Sequence, residues 1–135
     1  MAENAKILVV DDDPDIRTVL TALLESRGYQ IVTASNGQEG LDALKAEKPN
    51  MMILDLLMSE MDGFTMMQKL KDQRWAKYAH IPIVVLTLVG EDASPAGDTN
   101  WKPMFLMDVD DYIEKLINPP VVLERVERLL KKAKS

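Results

Sequence analysis

Short runs of aliphatic residues alternate along this chain with longer stretches in which apolar residues recur every three or four positions. The first run is Lys6 to Val10, "KILVV". Asp13 then stands where a helix cap is wanted, and Pro14 follows at the first helical position, where its missing N–H costs no hydrogen bond. Ile16, Val19, Leu20, Leu23 and Leu24 recur at helical spacing, and Gly28 supplies the stop. The unit repeats. Tyr29 to Ala34 reads as a strand, Asn36-Gly37 opens a helix carried by Leu41 and Leu44, and Pro49 ends it. Met51 to Leu54 is a third run, ending at Asp55. Beyond the irregular loop "LLMSEM", Asp62-Gly63 opens a helix carried by Phe64, Met67 and Leu70 and closed by Trp75. Ile83 to Leu86 is a fourth strand ending at Thr87, and Val109 to Glu114 is a short fifth ending at Lys115. After Asn118 and Pro119 a last helix turns Val122, Val126, Leu129 and Leu130 inward.

Strands that are apolar throughout, separated by helical lengths, imply a parallel sheet covered on both faces. With right-handed crossovers the pattern predicts an α/β fold: a flavodoxin-like, doubly wound, five-stranded parallel sheet in the order 2-1-3-4-5. A length of 135 residues suits one domain over 1–135, with a short tail at 1–5. The stretch 88–108 departs from the pattern. Its start, "LVGEDASPAGDTNWK", is rich in Gly, Pro, Ser and Asp and predicts a long loop with a short helix near Asn100, so the fourth helix is expected to be shortened or displaced.

Composition narrows the function more than the fold. Apolar residues make up 47% and charged residues 28%, as in an ordinary folded domain. A net charge of -6 argues against direct binding of nucleic acid or an anionic membrane, since both need a basic face. The basic run Arg128, Lys131, Lys132 and Lys134 suits the end of the last helix. With no cysteine there is neither a disulfide nor a thiolate site. The start "MAENAK" does not look like a signal peptide, and no segment has the ~20 apolar residues needed to cross a bilayer. A cytoplasmic location is expected. The nine methionines read as core filling, and His80 as a surface residue.

The polar residues that end the strands share one edge of the sheet. In an open α/β sheet, ligands bind beyond the carboxyl ends of the strands at the switch point of the winding. Asp11 and Asp12 end the first strand, Asp55 the third, Thr87 the fourth and Lys115 the fifth. With the first and third strands adjacent, three carboxylates converge there. Like charges at about 4 Å cost roughly 4 kcal/mol per pair at an effective dielectric of ~20, so a cation is needed to offset them. Carboxylates without His or Cys make a hard oxygen site for Mg2+, Mn2+ or Ca2+. Mg2+ fits best if a phosphate comes and goes. Lys115 and Thr87 could then hold the oxygens of a phosphoryl group carried on a carboxylate.

"ILVVDDDP", "MMILDLLMSEMDG", "IPIVVLTL" and "DDYIEK", in this order along nearly the whole chain, resemble the receiver domain of bacterial two-component response regulators, of the CheY-like superfamily. The resemblance implies that Asp55 accepts a phosphoryl group from a phosphohistidine on a sensor histidine kinase or histidine phosphotransfer protein. It also implies a Mg2+ site made by Asp11, Asp12, Asp55 and the backbone carbonyl of Leu57, with Asp12 the direct ligand and Asp11 acting more through water. Thr87 and Lys115 would contact the phosphoryl oxygens. Tyr112 would be the switch aromatic that moves with Thr87, reshaping the surface of the fourth helix, fifth strand and fifth helix for a downstream protein partner or a homodimer. On this reading the chain is no conventional enzyme, catalysing only its own phosphorylation and dephosphorylation.

Four departures from the family pattern bear on mechanism. Ser59 stands where proline is common, and Leu88 stands where a small residue is usual, which is expected to crowd the site and slow switching. Leu116 follows Lys115 in place of a proline. Because a cis bond before a non-proline residue costs ~2.5–4 kcal/mol, a trans Lys115-Leu116 bond is expected. The fourth is the long 88–108 segment. Two other classes of function compete: a receiver-like interaction module acting without phosphorylation, and a Mg2+-dependent phosphatase with an aspartyl nucleophile. The second lacks an acid two residues after Asp55, where Leu57 stands, and lacks a cap domain.

Overall fold

Five strands form one parallel sheet in the order β2-β1-β3-β4-β5. They are β1 (Lys6–Val10), β2 (Gln30–Ala34), β3 (Met51–Asp55), β4 (Ile83–Thr87) and β5 (Asp111–Glu114). The computed structural model describes residues 5–55, 63–70, 72–75, 78, 80–87, 111–114 and 117–134. The expected strand order is therefore observed. The 88–108 segment and Val109 lie outside the described residues, as do Ser59, Leu88 and the Lys115-Leu116 bond.

Alternation along the strands sorts the core onto the two faces of the sheet. On one face Ile7, Val9, Ile53, Val84, Leu86 and Ile113 pack with Leu20 and Leu24 of α1 (Pro14–Glu25) and with Val122, Val126, Leu129 and Leu130 of α4 (Pro119–Lys134). On the other, Leu8, Val10, Met52, Leu54 and Val85 pack with Leu41 and Leu44 of α2 (Gly37–Glu47) and Met66 and Leu70 of α3 (Gly63–Leu70). Each such large side chain withdrawn from water contributes roughly 1.5–3 kcal/mol. Helices on both faces are what force the inner strands β1, β3 and β4 to be apolar along nearly their whole length, whereas the edge strands β2 and β5 carry polar residues.

The helix ends follow from local chemistry. Asp13 caps α1, its side chain accepting from Asp15 N at 2.9 Å, and Pro14 opens the helix as expected. Asn36 caps α2 by accepting from Glu39 N at 2.9 Å. Past α1, Gly28 takes φ 88°, a left-handed conformation that disfavours other residues. Gly40 serves a different purpose, close approach: a Cβ there would lie 2.9 Å from Met66 Cε and 3.1 Å from Val10 Cγ2. This lets α2 close on β1 and α3 together.

Three expectations need correcting. Val19 is 46% exposed rather than inward, because the buried stripe of α1 runs through Leu20 and Leu24, flanked by Ile16 and Leu23, and Val19 lies a quarter turn off it. Trp75 does not close α3. It belongs to a separate 3-10 turn, Gln73–Trp75, where it meets Tyr78 edge-on at 5.7 Å and lies under Lys45 Nζ at 4.9 Å. Ala5 is not a loose tail residue, being buried and accepting from Gln30 N at 2.9 Å.

Candidate functional site

Sheet register brings the acidic residues level with one another. Val10 of β1 pairs with Leu54 of β3, so Asp11 and Asp55, each the next residue, stand side by side at the carboxyl edge. Asp11 is 0% exposed, Asp55 is 2% exposed, and Asp12 is partly buried. One carboxylate oxygen from each of Asp11, Asp12 and Asp55 lies within 4.8 Å of the other two. Three carboxylates at that spacing, two of them out of water, repel strongly. An all-oxygen set without His or Cys is chemically matched to a hard divalent cation.

Backbone and side-chain bonds hold this arrangement in place. Asp11 N donates to Ala34 O at 3.1 Å, extending the β1–β2 pairing by one residue. Asp11 Oδ1 accepts from Asp13 N at 2.9 Å, which fixes the carboxylate's rotation and folds the loop back toward the cap of α1. The carbonyl of Asp11 accepts from Arg17 Nη1 at 2.6 Å. At the neighbouring loop, Glu39 Oε1 accepts from both Ser35 N at 2.9 Å and Ser35 Oγ at 2.8 Å. Those bonds, backbone first and hydroxyl second, hold the Glu39 carboxyl below its ordinary pKa, and the charge of Arg17 lowers it further.

Of the residues expected at the site, Asp11, Asp12 and Asp55 are thus brought together. Thr87 ends β4 one residue beyond Leu86, which is the partner of Asp55. Tyr112 lies on β5 opposite Val85, two residues short of Glu114, which pairs with Thr87. Leu57 and Lys115 lie outside the described residues. The sequence reading missed Arg17 and the Ser35–Glu39 brace. A signal for Arg17 existed: helical side chains lean toward the N-terminus, so a long side chain in the first turns of α1 reaches back over the end of β1.

Comparison with known proteins yields a consistent set of likenesses. The family described as the response regulator receiver domain matches residues 7–127. The probable transcriptional regulator ycf27 of Cyanophora paradoxa is 35% identical over 130 residues, covering 96% of this chain and 50% of the relative. The alkaline phosphatase synthesis transcriptional regulatory protein PhoP of Bacillus subtilis (strain 168) is 34% identical over 130 residues, with the same coverage of 96% and 50%. This chain therefore spans about half the length of these curated relatives. Among solved structures, Vibrio cholerae chemotaxis protein CheY4 is similar with a TM-score of 0.79 and 28% identity, covering 93% of this chain and 98% of that one. No helix among the described residues is long and apolar enough to cross a membrane.

Proposed function

This chain belongs to the response regulator receiver domain family, and from that premise we propose that it is the phosphoacceptor of a two-component phosphorelay, with Asp55 as the acceptor. The observation that carries the reading is the convergence of Asp11, Asp12 and Asp55 within 4.8 Å at the carboxyl edge of the sheet. The donor is a phosphohistidine on a sensor histidine kinase or a histidine phosphotransfer protein. An Asp55 carboxylate oxygen attacks phosphorus, the P–N bond to the donor imidazole breaks, and its electron pair returns to the ring nitrogen. The product is an aspartyl phosphate, later hydrolysed by water.

Asp11, Asp12, Asp55 and the Leu57 carbonyl would hold a Mg2+ ion, whose charge neutralises the carboxylates and the phosphoryl oxygens. The Thr87 hydroxyl and the Lys115 ammonium donate to those oxygens. As Thr87 is drawn toward Asp55, the Tyr112 ring takes the space it leaves, and the surface around β5 and α4 changes for a downstream protein or a second copy of the chain. The relatives are named as transcriptional regulators, yet this chain spans about half their length and carries a net charge of -6. Its own part in the relay is to present the switched surface, and its acidic charge disfavours direct contact with DNA or an anionic membrane. A cytoplasmic setting suits that role.

Incubation with acetyl phosphate and Mg2+, followed by intact mass measurement, tests this reading. One phosphoryl adduct is expected, absent when EDTA replaces Mg2+. No adduct at any Mg2+ concentration would instead favour a module that binds its partner without phosphorylation.

Asp12→Asn is expected to act in opposite directions with and without the ion. Removing one of three clustered charges raises the metal-free stability by about 1 kcal/mol, since Asp12 is only partly buried and its repulsion is screened. Saturating Mg2+ stabilises the unsubstituted chain by about 2.7 kcal/mol at 100 times its dissociation constant, and this gain is lost in the variant. Urea unfolding with and without Mg2+ checks both.

A further inference from the structure

Arg17 lies where helix electrostatics disfavours a cation. It is the fourth residue of α1, close to the helix end whose N–H groups carry partial positive charge. Lysine and arginine belong at the other end, and the last turn of α1 holds no basic residue. A local rule broken in this way points to a role beyond the helix.

That role is visible in its contacts. Arg17 Nη1 donates at 2.6 Å to the carbonyl of Asp11, the fully buried member of the acidic trio. Its own N–H donates at 3.1 Å to Asp13 O, the carbonyl of the residue that caps the helix. The N–H bond is the first i→i−4 bond of the helix, so it is the side chain of Arg17 that grips the turn carrying Asp11 and Asp12. Its charge also reaches Glu39, which is fastened to Ser35 just past β2.

We propose that Arg17 is a positioning residue for cation binding, which fixes the backbone of Asp11 so that the Asp11 and Asp12 carboxylates face Asp55. This rests on the proposed function above, because it presumes that the trio takes a divalent cation. The two contributions of Arg17 have opposite signs. As a positive charge it opposes a second cation nearby, whereas as a hydrogen-bond donor it holds the ligands in place. Supporting partners of metal ligands typically account for about 10–100-fold in affinity, so the positioning contribution dominates.

The test is Mn2+ binding, followed by calorimetry and by electron paramagnetic resonance of the free ion, on the unsubstituted chain and on Arg17→Met, Arg17→Lys and Asp12→Asn. Arg17→Met is expected to weaken Mn2+ binding about 10-fold, and Arg17→Lys, which keeps a charge and one donor, to recover part of the loss. In the metal-free state the amide resonances of Asp11 and Asp13 are expected to move in Arg17→Met, and the Asp13 amide, bonded to Asp11 Oδ1, to exchange faster. Should Arg17→Met fail to fold, Arg17→Lys carries the comparison, with weaker binding expected. Unchanged or tighter binding in a folded Arg17 variant, with binding lost in Asp12→Asn, would overturn the role of Arg17 and leave the proposed function standing. Absence of Mn2+ binding by the unsubstituted chain would overturn both.

Discussion

Asp55→Asn is expected to abolish the Mg2+-dependent phosphoryl adduct entirely while leaving the sheet folded. The carboxylate is replaced by an amide of nearly the same shape, whose oxygen is neutral and whose nitrogen lone pair is delocalised, so no atom at position 55 can attack phosphorus. Backbone pairing is untouched, because Asp55 pairs with Leu86 through its main chain. The metal-free variant is expected to be more stable than the unsubstituted chain. One buried charge is removed from a trio within 4.8 Å, and the new amide can donate to the oxygens that formerly repelled it. Intact mass and urea unfolding, run side by side, separate lost chemistry from lost structure. An adduct that persists in Asp55→Asn would place the phosphoryl group elsewhere.

The scaffold beneath Asp55 gives the second large effect. Leu54 is fully buried on β3, the central strand, and packs in the cluster that includes Val10, Leu41, Met66 and Val85. Leu54→Ala is expected to destabilise the chain by about 3–4 kcal/mol, the transfer cost of the lost side chain plus that of the cavity it leaves. Strands β1 and β4 hold β3 on both sides, so the hole has little freedom to collapse. Against a typical total of about 5–15 kcal/mol this is a large fraction. A urea midpoint showing a loss below about 1 kcal/mol would mean that the core repacks around the site far more freely than the register allows.

These two residues also show how much of the fold and of the site is legible in the sequence. Leu54 lies in a four-residue apolar run and Asp55 at its end, and the same alternation of run and helix narrows the sheet order to a few windings, since right-handed crossovers exclude the rest. Once β1 and β3 are neighbours, the meeting of Asp11, Asp12 and Asp55 follows. What escaped the sequence depends on rotation and on reach. Val19 is apolar and near the right spacing, yet a quarter turn decides between core and water. Arg17 looks like a solvated helix residue until its guanidinium is seen on the carbonyl of Asp11. Neither an angle nor a long side chain's end point is encoded in hydrophobic periodicity.

The central claim is that Asp55 carries the phosphoryl group, and locating the group chemically tests it most directly. The chain is treated with acetyl phosphate and Mg2+, the aspartyl phosphate is reduced with borohydride, and the peptides are mapped by mass. Reduction is expected at Asp55 alone, in the peptide that contains "MMILD". Reduction at Asp11 or Asp12, or a phosphoryl group retained on a serine or threonine, would contradict it.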